Sequence, residues 1–151
     1  MRLYRITSAP FARLDGEGAR LYGGRWNSRG IAVIYASTTL SLAALEYLVH
    51  TDVDTVPSDL VAITIDVPDG AATEEVALDE LPDGWRSGVD HPDCIVRGDA
   101  WIRRGAALVL KVPSAVIPTE INSLLNPAHP AAAGITATSE PFAFDPRLLT
   151  R

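Results

Sequence analysis

Residues 31–50 read IAVIYASTTLSLAALEYLVH, and the two halves of that stretch set the class of the fold. Ile31 to Ala36 is a near-continuous run of β-branched and aromatic residues, the pattern of a strand buried on both faces. Ser37, Thr38 and Thr39 follow with hydroxyls suited to capping a helix. That helix is predicted from about Leu40 to His50, and it carries apolar residues on almost every side, as a buried helix does.

Working outward, Leu3 to Ile6 reads as a short first strand. A Gly-rich, turn-laden connection from Gly16 to Gly30 then encloses the phrase GGRWN at 23–27. Beyond the helix, Leu60 to Val67 alternates, which puts Val61, Ile63, Ile65 and Val67 on one face and Ala62, Thr64 and Asp66 on the other. Pro68 to Arg97 turns acidic and rich in Pro, Gly and Asp, the composition of a surface excursion with about one helical turn. Asp99 to Arg104 is expected as a short helix, Ala107 to Val112 as a strand, Phe142 to Phe144 as an edge strand, and Ala131 to Glu140 as a mobile connection. This order predicts a mixed α+β fold, with residues 1–151 forming one domain.

Bulk properties narrow the function. No run approaches the eighteen or so apolar residues of a membrane span, since Ser37, Thr38, Thr39, Ser41 and Glu46 interrupt the most apolar region. Arg2 and Arg5 are not followed by the apolar stretch of a secretory signal, and a lone cysteine, Cys94, suits a reducing compartment. The expectation is a cytoplasmic protein without a membrane association. A formal net charge of −6 repels phosphate backbones, which argues against direct nucleic-acid binding but leaves room for a local basic cleft.

Three residues stand out chemically. Glu46 has Leu42, Ala43, Val49 and His50 as its helical neighbours, so its carboxylate projects from a mostly apolar face and needs a partner or a role. Arg25 follows two glycines in a loop, and its planar fork suits phosphate or carboxylate; the plainer reading is a surface arginine stacked on Trp26. Tyr35, near the end of its strand, can stack on a planar ligand, although core packing is the commoner fate of such a ring. His91 and Cys94 have metal-like spacing but lack two further donors. No Gly-x-Ser-x-Gly elbow accompanies the histidines and serines, and no common nucleotide-loop motif is present.

In order along the chain, Tyr4-Arg5, Gly23 to Asn27, Tyr35-Ala36-Ser37, Ser41 to Glu46, Gly98 to Trp101, Val112 to Val116 and Asn122 to His129 together resemble the RES family. The match spans nearly the whole sequence. The arginine, glutamate and serine for which the family is named correspond to Arg25, Glu46 and Ser114, with Arg5 and Tyr35 at further active-site positions. The resemblance implies a fold similar to ADP-ribosyltransferases, with two packed β-structures and flanking helices around an NAD cleft. It implies a toxin of a type II toxin–antitoxin pair that cleaves the nicotinamide–ribose bond as a glycohydrolase or phosphorylase. It also implies an Xre-like helix-turn-helix antitoxin as partner. The alternatives are a protein ADP-ribosyltransferase and a non-catalytic antitoxin-binding module. On this reading Glu46 stabilises the oxocarbenium-like transition state, Arg5 and Arg25 hold the pyrophosphate, Tyr35 stacks on nicotinamide, and Ser114 and Asn27 orient the ribose or pyrophosphate. NAD is then a substrate, with no resident cofactor and no metal.

Overall fold

In the computed structural model, which describes residues 1–88 and 91–150, the chain builds one seven-stranded mixed sheet from two unequal halves. In the first half β1 (Arg2–Ser8) runs antiparallel to β3 (Leu60–Asp66) in full register, from Arg2 opposite Asp66 to Ser8 opposite Leu60. The outer edge of that half is β7 (Thr136–Pro141). In the second half β2 (Ile34–Ser37) pairs with β6 (Ile121–Leu125), which pairs in turn with β5 (Val109–Pro113). The short β4 (Thr73–Glu75) lies parallel to β5 at the far edge. A single residue pair, Tyr4 opposite Ser37, joins the halves.

Side chains alternate across a strand, so this register fixes what each face carries. On one face Leu3, Ile63 and Ile65 from the first half share a core with Ile34, Val109 and Leu125 from the second. The two halves therefore pack on each other there, in agreement with the expected α+β architecture of two packed β-structures. On the other face α2 (Leu40–Val49) lays Ala43 and Leu48 against Ile6, Leu60 and Phe144. Further along that face α3 (Pro92–Arg104) buries Cys94 and Trp101 with Trp26, Leu110, Val112 and Leu124. A short α1 (Glu17–Tyr22) lies within the Gly-rich connection.

Several elements differ from the sequence reading for identifiable reasons. The strand predicted from Ile31 begins only at Ile34, because the Ile31 carbonyl accepts from the Asn27 side chain and belongs to the preceding loop. The helix expected at Asp99 begins at Pro92, where the His91 ring nitrogen accepts from the Asp93 amide as a cap and Pro stands in the first turn. The acidic excursion holds β4 and a turn of 3₁₀ helix at Leu78–Glu80; its residues 89 and 90 lie outside the described residues. The edge strand is Thr136–Pro141 in place of Phe142–Phe144, so most of the segment expected to be mobile is regular structure, beginning with a 3₁₀ turn at Pro130–Gly134. Phe142 and Phe144 instead pack edge to face at 4.9 Å between ring centres, over α2.

Candidate active site

The Thr39 hydroxyl caps α2 by accepting from the Leu42 amide, so the helix starts where Glu46 comes to face the sheet. There the Glu46 Oε1 accepts two hydrogen bonds, from the Ser114 hydroxyl at 2.7 Å and from the Asn122 amide nitrogen at 2.5 Å. Ser114 is fully buried just past β5, and its oxygen accepts from the Val116 and Ile117 amides, which leaves its proton for Glu46. Asn122 sits opposite Ser37 in the β2–β6 register, and the Ser37 hydroxyl donates to its Oδ1 at 2.7 Å. That bond fixes which end of the amide points at Glu46. No described residue donates to Oε2, so one carboxylate oxygen is held and the other remains available.

Tyr35 lies two residues before Ser37 on the same face of β2, about 7 Å along the strand. Its hydroxyl donates to Asn27 Oδ1 at 2.6 Å and accepts from the Trp26 amide at 3.0 Å. Burial pushes its pKa well above the ordinary tyrosine value, and the nearby Asp99 charge adds to the rise, while the Trp26 bond and Arg25 oppose it. Asn27 is 1% exposed and its Nδ2 donates to the Ala19, Ser28 and Ile31 carbonyls. With every polar atom committed inside the loop, Asn27 shapes the loop and has no group left to meet a ligand. The Ser114 hydroxyl is likewise committed, donating to Glu46 and accepting from the Val116 and Ile117 amides.

Arg25 projects from this loop toward residues 85–88, where its guanidinium donates to the Trp85 carbonyl at 2.8 Å and the Gly88 carbonyl at 2.7 Å. It stacks over the Trp85 ring at 6.0 Å, so the aromatic partner is Trp85 and not Trp26, which is buried in the core. Arg5 stands apart from both groups. Alternation places it on the face of Leu3, opposite Tyr4, and it is the first β1 residue past the single pair that joins the half-sheets. It is half-buried with no hydrogen bond or ion pair to a described residue, and burial pushes its pKa down. A guanidinium in that state is prepared for an anion from outside the chain. Ala36 and Tyr35 are the corresponding β2 residues on the other side of the junction, where the ladder stops.

The structure thus brings Glu46 and Ser114 into contact, joins Tyr35 to Asn27, places those groups side by side along β2, and sets Arg5 at the junction. Ser37 and Asn122 were not foreseen as site residues, although each lies in a phrase that carried the resemblance; a cross-strand register is what reveals them. Among the described residues no three His, Cys, Asp or Glu side chains converge as a metal site would require. No helix among the described residues is long and apolar enough to cross a membrane.

Comparison with known proteins covers nearly the whole chain. The family model described as the RES domain matches residues 2–146. The Prs ADP-ribosylating toxin of Sphingobium sp. (strain YBL2) is 39% identical over 141 residues, covering 91% of this chain and 88% of the relative. Toxin Res of Yersinia enterocolitica is 38% identical over 152 residues, covering 98% and 99%. Among solved structures, the Mycobacterium tuberculosis MbcT–MbcA toxin–antitoxin complex contains a chain similar in fold, with a TM-score of 0.78 at 22% identity, covering 98% of this chain and 86% of that one.

Proposed function

The chain belongs to the RES domain family, and from that premise we propose that it is a toxin that consumes NAD by breaking the nicotinamide–ribose bond and is silenced by a partner antitoxin. The observation that carries this reading is the carboxylate of Glu46, held through Oε1 by Ser114 and Asn122 with Oε2 unengaged. Cleavage of a glycosidic bond builds positive charge on the ribose, and a fixed carboxylate beside it lowers that charge's energy without reorganising during the reaction. The C1′–N bond breaks with its electron pair leaving on nicotinamide. A new C1′–O bond forms to water or to phosphate, and the proton released passes to solvent.

The remaining residues supply binding. Arg5 and Arg25 are the cations for the pyrophosphate, Arg5 because no described residue forms a hydrogen bond or ion pair with it, and Arg25 because its guanidinium has donors beyond the two given to carbonyls. The hydroxyl of Tyr35 is occupied, which leaves the ring as the part able to stack on nicotinamide. A second reading, transfer of ADP-ribose to a protein, is favoured by the similarity to the Sphingobium relative, a Prs ADP-ribosylating toxin. The same site serves both, because the acceptor alone differs. A cytoplasmic location follows from the substrate. An Xre-like helix-turn-helix protein is proposed as the antitoxin.

The test is to incubate the partner-free protein with NAD, with and without phosphate, and to separate the products; labelled NAD is added in parallel to a cell lysate. Loss of NAD that requires phosphate identifies a phosphorylase, loss without it a glycohydrolase, and a labelled protein band a transferase. Intact NAD with no labelled protein overturns the proposal.

A further inference from the structure

Asp99 is buried to 5% exposure, yet no described cation pairs with it. An ionised carboxylate taken out of water in this way is costly unless strong donors meet it. Its donors both come from one residue, 71 positions away: the Ser28 amide donates to Oδ1 at 2.9 Å and the Ser28 hydroxyl to Oδ2 at 2.5 Å. The residue before it serves the same contact by other means. A Cβ built on Gly98 would lie 1.7 Å from the Trp26 carbonyl oxygen, so the backbone of α3 touches the loop and no side chain fits between. Two consecutive residues of α3 therefore grip the loop just after Arg25.

On its sheet side the same loop is fixed by the Tyr35 hydroxyl, which accepts from the Trp26 amide. Its turn is closed by the reciprocal backbone pair of Gly24 and Asn27. Between Gly24 and Ser28, Trp26 and Asn27 are buried against the clamp and Arg25 is the residue that is not, its guanidinium running on to the Trp85 and Gly88 carbonyls. A neutral Asn would fit the space of Asp99; the carboxylate gives charge-assisted bonds of roughly twice the strength.

We propose that Asp99 is a positioning residue that acts through Ser28 to hold Arg25 where it meets the anionic part of the substrate. This rests on the reading of Arg25 as a pyrophosphate ligand. The experiment uses the full chain with Asp99→Ala, Asp99→Asn and Ser28→Ala, each alone and combined with Arg25→Ala. It reads hydrogen exchange of amides 24–28 together with KM and kcat for NAD cleavage. Asp99→Ala and Ser28→Ala should speed exchange in 24–28 while α3 stays protected, and raise KM about tenfold with kcat little changed, as expected of a misplaced binding group. The shape-matched Asp99→Asn should lie nearer the parent. With Arg25 already Ala, removing Asp99 should raise KM no further, a result that general loosening of the fold would not give.

Unchanged exchange in 24–28 overturns the clamp. A KM rise of the same factor in the Arg25→Ala background overturns the link to Arg25. Should Asp99→Ala fail to fold, Ser28→Ala decides by the same criteria. If the parent protein leaves NAD intact, the functional reading falls and with it the role assigned to Arg25, whereas the exchange measurement still decides whether Asp99 and Ser28 hold the loop.

Discussion

Replacing Glu46 by Gln removes a charge and almost nothing else, which makes it the sharpest test of the site. The glutamine oxygen can take the place of Oε1 and accept from both Ser114 and Asn122, while its amide nitrogen occupies the position of Oε2. Each bond weakens from the charged range, about 1.5–3 kcal/mol, to the neutral one, about 0.5–1.5 kcal/mol, so the two together cost about 2–3 kcal/mol when corresponding ends of the ranges are compared. For a chain of this length that lowers Tm by about 4–12 °C, and relief from burying a charge reduces the loss. The transition state has no such relief. Losing a preorganised electrostatic contact commonly costs about 10²–10³ in rate, or about 2.7–4 kcal/mol. The assay follows NAD loss at saturating substrate beside a thermal melt of the same sample. A folded Glu46→Gln protein that keeps more than about a tenth of the parent rate would remove the carboxylate from the reaction and refute the mechanism.

Asn122→Ala removes one of the two donors to Oε1 and strands the Ser37 hydroxyl, so kcat should fall about 10–100-fold with KM nearly constant, as steady-state kinetics would show. Gly98→Ala forces a methyl group onto the Trp26 carbonyl; the overpacking should cost about 2–3 kcal/mol and lower Tm by about 4–12 °C in a melting experiment. Burial raises the Tyr35 pKa, so the unfolded chain loses its phenolic proton first: the contribution is fully present below the unfolded value near 10 and is lost as pH rises beyond it. Alkaline denaturation should therefore steepen above about pH 10 by about 1.4 kcal/mol per pH unit, and Tyr35→Phe should abolish that increment in urea melts taken across the range.

How legible these features were in the sequence follows from what holds each of them. The strand β3 was readable because burial imposes alternation on its residues, and α2 because it is apolar on almost every side and capped by the threonine that precedes it. The strand β6 was not, since INSLL places two polar residues in mid-strand: Asn122 is there for its bonds to Ser37 and Glu46, whereas the buried Ser123 hydroxyl has no partner among the described residues. Every residue of β7 is exposed, so it carries no hydrophobic signal, and only the ladder to β3 defines it. The site divides in the same way. Glu46 was conspicuous as a carboxylate on an apolar helix face, but its partners come from 68 and 76 residues away, and local patterns cannot contain them. Asp99 is the clearest case: within α3 it reads as an ordinary polar position, and only the loop brought against it by Gly98 gives its burial a reason. The residues proposed to act on NAD were thus visible as isolated oddities or through the resemblance, whereas those proposed to aim them become visible only once the two half-sheets and α3 have been put in place.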